Sequence, residues 1–236
     1  MSTVLITGAS RGIGKAAAKL FADSGWDLLL VARNEKSLKS LSEELSATTG
    51  RSIRYKSIDL SDPSSIASDI NSLVNEGETP SVVINNAGVA WTGELMSMPL
   101  KSWQWIVQMN LTSVFQICSA LIPIMRGNGG LIINVSSHAS RNAFPNWGAY
   151  CATKAALVTF TKCLAAEERA NGIRACTLTL GAVNSSLWDE ETVKSDFDRN
   201  AMLPVEQAAS ALLHIAQQPS TQVIEDLTLM PSIGAF

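Results

Sequence analysis

Short runs of β-branched and leucine residues alternate with amphipathic helical segments along almost the whole chain. "TVLIT" precedes "IGKAAAKLFADS", "DLLLVA" precedes "EKSLKSLSEELSAT", and "SIRYKSI" precedes "PSSIASDINSLV". The rhythm continues through "SVVIN", "LKSWQWIVQMNLTSVFQICSALIPIM", "LIINVS", "WGAYCATKAALVTFTKCLAAEERA", "IRACTLTL", "PVEQAASALLHIAQQ" and "QVIEDLTLM". A strand, a helix and a further strand in succession call for right-handed crossovers, which make the strands parallel and cover both sheet faces with helices. The expectation is α/β: one doubly wound parallel sheet of about seven strands in a single domain over residues 1–236. Apolar residues at 46% against 17% charged, with a mean hydropathy of +0.15, suit strands buried on both faces or subunit interfaces.

The punctuation agrees with this reading. Asp62-Pro63 looks like an N-cap followed by proline at the first helical position, and Gly25, Gly77 and Gly172 follow expected helix ends. Residues 184–202, "NSSLWDEETVKSDFDRNAM", show no period after the sixth strand, as a functional loop would.

A net charge of -3 and a pI near 5.4 leave no basic patch, so neither nucleic acid nor an anionic membrane is expected as a partner. The start, "MSTVLITGAS", lacks a basic then apolar leader, and the apolar runs look too short for a membrane span, so the expected location is cytoplasmic. Cys118, Cys151, Cys163 and Cys176 are dispersed, and His138 and His214 are the only histidines. Neither disulfide nor metal is expected from that spacing. A small-molecule ligand is the default.

"TVLITGASRGIG" runs from a strand into a helix with Gly8, Gly12 and Gly14 spaced G-x-x-x-G-x-G, a variant of the usual dinucleotide turn. Glycines let the backbone approach a pyrophosphate, and the helix N-terminus offers free N–H groups. The second strand ends in Ala32-Arg33 rather than in an acid, and its only acid, Asp27, lies at the wrong end. Arg11 adds a second cation in the glycine loop. Guanidinium groups suit a 2'-phosphate, so NADP(H) is expected in preference to NAD(H).

Tyr150 and Lys154 stand four positions apart in "YCATK", on one helix face. A cation beside the phenol stabilises the phenolate and draws its pKa down toward neutrality, where acid/base catalysis works best.

Taken in order, "TGASRGIG" at 7–14, "NNAG" at 85–88, Asn110 in "QMNLTSVF", "NVSS" at 134–137 and "YCATK" at 150–154 resemble the classical short-chain dehydrogenases/reductases, over essentially the whole chain. The resemblance implies that Tyr150 exchanges a proton with the substrate oxygen and that Ser137 hydrogen-bonds the same oxygen. It further implies that Lys154 binds the nicotinamide ribose and lowers the tyrosine pKa, and that Asn110 anchors a relay water. Gly8, Ser10, Arg11, Gly12, Ile13, Gly14 and Arg33 would hold the phosphates. Asp59 and Leu60 would meet the adenine, and Asn86, Ala87 and Gly88 would line the cofactor.

The chain departs from the family pattern after the sixth strand. "LGAVNS" at 180–185 has Leu180 where the family has proline, while Val183 and Ser185 keep their places beside the nicotinamide. A substrate lid is expected at about 186–203, with Trp188 as its anchor. Trp91, His138, Phe144, Trp147 and Trp188 are substrate-side candidates for an apolar or aromatic carbonyl, and His138 or Arg141 for a carboxylate. The expected reaction is hydride transfer between NADP(H) and a carbonyl/alcohol pair. The alternatives are a 3-oxoacyl thioester reductase, a 3-hydroxy acid dehydrogenase and a non-catalytic dinucleotide-binding regulator. The resemblance also implies a homo-oligomer, tetramer or dimer, built on the helices containing residues 101–125 and 147–170.

Overall fold

The computed structural model describes residues 2–74 and 79–234. Strands stand where the β-branched and leucine runs do: β1 (Thr3–Thr7), β2 (Asp27–Ala32), β3 (Ile53–Ser57), β4 (Val82–Asn85), β5 (Gly130–Ser137), β6 (Ile173–Leu180) and β7 (Asp226–Leu229). They form one sheet in the order β3-β2-β1-β4-β5-β6-β7, and every pairing is parallel. The helices between them are α1 (Gly12–Asp23), α2 (Glu35–Thr49), α3 (Ile66–Leu73), α4 (Leu100–Val107), α5 (Ser113–Met125), α6 (Gly148–Glu168) and α7 (Val205–Ala216). This is the expected doubly wound α/β fold.

The strand period of two divides the core into two layers. Val4 and Ile6 of β1 pack with Phe21 of α1 and Leu212 of α7, whereas Leu5 faces Ile66 of α3 and Ile117 of α5 on the other side. Both faces are apolar because both are covered.

Three local readings need correction. α3 begins at Ile66, because the Asp62 carboxylate accepts from the Ser64 N–H at 2.9 Å and the Ser64 hydroxyl at 2.7 Å, making a side-chain turn in place of a helix cap. The expected single helix over 100–125 is instead α4 and α5 joined by a π-helical turn, Gln108–Thr112. Its apolar character is not matched by burial all round, since Leu100 is 70% and Phe115 56% exposed. By length and composition alone Leu100–Met125 does reach what a membrane span needs, contrary to the expectation, yet half of its apolar window is buried in the protein, as in a core helix. Gly25 and Gly172 do end helices, with φ of +86° and +74°, whereas Gly77 lies outside the described residues.

Residues 184–202 fold into 3-10 turns at Ser186–Asp189 and Arg199–Ala201. The base of the segment is closed by a Val183–Leu203 bridge, with Asn184 N–H donating to Leu203 O at 2.8 Å and Leu203 N–H to Ala182 O at 2.9 Å.

Candidate active site

The chain leaves β1 for β2 on one side and returns to β4 on the other, so the carboxyl ends of β1 and β4 border a crevice where the strand order reverses. A cavity of about 740 Å³ opens at that edge. It is lined from the glycine loop and the end of β2 at one extreme to the starts of α6 and of residues 184–202 at the other.

The glycine loop is tightly built. Gly8 has φ of +68°, and a Cβ at Gly14 would stand 2.3 Å from Gly8 O, closer than any side chain tolerates. Thr7 secures the loop to β4: its hydroxyl accepts from the N–H groups of Asn86 and Ala87 at 3.0 Å, while Asn86 Nδ2 donates to Thr7 O at 2.9 Å. Ser10, Arg11, Gly12 and Ile13 line the cavity, and the first turn of α1 contains no acidic residue. A bound anion would therefore meet open N–H groups and a positive dipole end.

At the β2 end, Arg33 lines the cavity with Asn34 and Ser37, neither of which was expected there. Asn34 caps α2, its Oδ1 accepting from Ser37 N–H at 2.9 Å. Arg11 is ion-paired with Glu190. Among the described residues that line the cavity there is no carboxylate, so Arg33, together with an Arg11 partly offset by Glu190, gives its polar end a positive sign. The residues present fit a dinucleotide carrying one extra phosphate.

At the other end Ser137, the last residue of β5, stands next to Tyr150 and Lys154 of α6. Ser137 Oγ accepts from Ala139 N–H at 3.2 Å, which turns the chain and holds the hydroxyl at the cavity wall. Lys154 is buried at 4% exposure, and its ammonium donates to Val135 O at 2.9 Å. Burial pushes the Tyr150 phenol up to about 12, against a downward pull from its hydrogen bond with Ser137. Burial likewise draws the Lys154 ammonium down to about 8. The downward shift expected of Tyr150 is not found in the protein by itself, because desolvation of the phenolate outweighs the pull of Ser137, while Lys154 is itself desolvated and bonded to Val135 O.

Asn110 lies in the π turn, 1% exposed and behind the cavity wall. Its Oδ1 accepts from Val89 N–H and its Nδ2 donates to Val89 O, both at 2.9 Å, with a further bond to Thr153 Oγ1 at 3.1 Å. Gly88 makes room for this junction: a Cβ there would stand 3.3 Å from Asn110 Oδ1 and 3.4 Å from Lys154 Nζ.

Leu60, Val183, Ser185, His138, Phe144, Trp147 and Trp188 also line the cavity, as does Leu180 at the family's proline position. Five candidates do not: Gly14 and Asn110 stand behind the lining, and Asp59, Trp91 and Arg141 lie off it. Asp59 is exposed and accepts from Ser61 N–H and Oγ at 2.9 and 2.7 Å. Trp91 packs over Gly93, where a Cβ would meet its ring at 2.6 Å. Arg141 is paired with Asp226 at 2.6 Å and with Thr228 Oγ1 at 3.0 Å. Phe197, Leu187 and Met230 line the cavity unannounced. Leu187 and Phe197 fall inside the expected lid at 186–203, whereas Met230 was not singled out.

The short chain dehydrogenase family profile matches residues 2–196. The chain is 30% identical over 226 residues to a 3-oxoacyl-[acyl-carrier-protein] reductase of Chlamydia muridarum, covering 93% of this chain and 91% of that protein. It superposes with a TM-score of 0.90 and 26% identity on an alcohol dehydrogenase from the archaeon Thermococcus sibiricus complexed with 5-hydroxy-NADP, covering 98% of this chain and 97% of that one. A short-chain dehydrogenase from Sphingobium yanoikuyae in complex with NADPH matches with a TM-score of 0.86 and 26% identity, over 99% and 89% of the two chains. With the seven-stranded parallel sheet and the site at its carboxyl edge, these matches lead to one conclusion: the chain belongs to the short-chain dehydrogenase family of oxidoreductases.

Proposed function

We propose that the protein is an NADP(H)-dependent oxidoreductase that interconverts a carbonyl and its alcohol, of the carbonyl reductase or alcohol dehydrogenase type. The carrying observation is that Ser137, Tyr150 and Lys154 line one cavity with the glycine loop, Arg11 and Arg33. The two solved relatives named above were determined with NADPH or 5-hydroxy-NADP, which supports the same cofactor here. Arg11 and Arg33 take the 2'-phosphate, and the loop from Gly8 to Gly14 takes the pyrophosphate.

When bound, the nicotinamide supplies the hydride in reduction and receives it in oxidation. Tyr150 gives the carbonyl oxygen its proton, and Ser137 donates a hydrogen bond that holds that oxygen in place. A phenol near 12 is fully protonated at neutral pH, the form required of an acid in carbonyl reduction. Lys154 stabilises the phenolate left behind and orients the cofactor ribose, and Asn110 fixes the π turn through which the proton relay passes. Residues 186–203 form the lid in a one-domain enzyme.

The same reading includes a cytoplasmic homo-oligomer; the exposed apolar residues of α4 and α5, Leu100, Trp103 and Phe115, support the second part. The Chlamydia muridarum relative favours a 3-oxoacyl thioester as second substrate reading. Against it, residues 186–203 expose the carboxylates of Asp189, Glu191, Asp196 and Asp198, an unsuitable docking face for an acidic carrier. Purified protein offered a panel of ketones, aldehydes and hydroxy acids with each cofactor tests the proposal. Turnover with NADPH at least about tenfold more efficient than with NADH is expected; no carbonyl reduced with either cofactor contradicts it.

A further inference from the structure

We infer that the substrate is an uncharged carbonyl compound bearing an aromatic or similarly bulky apolar group, and that Phe197 and Trp188 of residues 184–202 select it together with Trp147. The inference rests on the carbonyl reductase reading and narrows it.

Beside Tyr150 the cavity wall is a relay of rings. Trp147 meets Tyr150 edge-on at 5.6 Å, Trp188 meets Trp147 at 5.6 Å and 62°, and Phe197 meets Trp188 at 5.6 Å and 67°. All four line the cavity and none is fully buried, so ring surface remains for a ligand. Edge-to-face packing of this kind favours a further aromatic group over a polar one.

The wall is also held still. Trp188 Nε1–H donates to Val183 O at 2.8 Å, which occupies the indole's one polar atom and leaves its apolar faces to the cavity. Arg199 fastens the segment from beneath, donating to Asn184 Oδ1 at 2.8 Å, to Asp189 Oδ1 at 2.9 Å and to Ser185 O at 3.0 Å.

A substrate carboxylate finds no counterion here. Among the described residues lining the cavity the charged side chains are Arg11 and Arg33, at the cofactor phosphates, and Lys154, bonded to Val135 O below Tyr150. Arg141, the sequence-based candidate for pairing an acid, is turned away onto Asp226. His138 lines the wall, but its ring is tilted against Phe144 at 6.1 Å and its Nε2 lies 2.9 Å from Asn142 Nδ2. An anion at this end would be desolvated and unpaired.

The test compares methyl benzoylformate with benzoylformate, which share the reacting ketone and the ring and differ in charge. With NADPH, kcat/KM for the ester is expected to exceed that for the acid by at least about 100-fold. Binding is read independently by calorimetry on the Tyr150→Phe protein with NADPH, where Kd should show the same preference. Phe197→Ala is expected to lower the ratio of kcat/KM for the ester to that for a small alkyl ketone by about tenfold, and Phe197→Leu by less. Equal use or binding of ester and acid, or a ratio untouched in both Phe197 variants, overturns the inference. Should the Phe197 variants not fold, the ester-to-acid comparison on the unsubstituted protein decides alone. Absence of turnover on every carbonyl, with the calorimetric preference retained, contradicts the reductase reading while upholding the pocket.

Discussion

The Lys154 ammonium lies 5.7 Å from the centre of the Tyr150 ring, one helical turn away, and is anchored to Val135 O at 2.9 Å. The pair is held as a unit between α6 and the end of β5, and both members titrate away from their ordinary values because both are withdrawn from water.

That withdrawal sets a pH dependence. Lys154 titrates near 8 in the folded protein against 10.5 ordinarily, so between those values the unfolded chain carries a proton that the folded one has released. Stability therefore rises with pH across that window and is lost as pH falls through about 8. Tyr150 acts oppositely and later, since its folded value is raised: its contribution is complete below 10 and is lost as pH rises toward about 12. Urea unfolding of the protein and of Lys154→Met should show the stability difference changing by of order 1–3 kcal/mol in favour of the unsubstituted protein between about pH 7 and 10. A difference that stays constant rules out a desolvated lysine.

Cofactor choice is assigned to Arg11 and Arg33. A hydrogen bond to a charged group is worth roughly 1.5–3 kcal/mol, so Arg11→Ala with Arg33→Ala should lower the NADPH-to-NADH ratio of kcat/KM by at least about tenfold. The Arg11–Glu190 pair competes only weakly, because both side chains are substantially exposed, at 51% and 35%, and such a pair contributes no more than about 1 kcal/mol. Glu190→Gln should accordingly tighten NADPH binding by no more than about fivefold in a fluorescence titration. A ratio unmoved by the double arginine substitution refutes the assignment.

The π turn depends on Asn110, whose side chain satisfies both main-chain groups of buried Val89. Asn110→Ala leaves them unpaired, at a cost of about 1–3 kcal/mol for each buried group. Thermal unfolding should show a clear fall in Tm, and an unchanged Tm is inconsistent with that role.

Much of this was legible in the chain. β1, β2 and β6 stand at the bounds of "TVLIT", "DLLLVA" and "IRACTLTL", because buried parallel strands are written as local apolar runs. Ser137, Tyr150 and Lys154 meet in one cavity because a strand end and a helix start bring them there. Features set by distant partners were not legible. Arg141 is turned aside by Asp226, far along the chain, and Phe197 reaches the cavity only through the fold of residues 184–202. The π turn interrupts no visible 3.6-residue period, and the rise of the Tyr150 pKa comes from burial, which a spacing of four residues does not report.

Tyr150→Phe tests the central claim most directly, since it removes one hydroxyl and leaves the ring. The account predicts that kcat/KM for carbonyl reduction falls by about 10²–10⁴-fold while NADPH affinity by calorimetry is unchanged. Near wild-type turnover in that variant would contradict the assignment of Tyr150 as the proton donor.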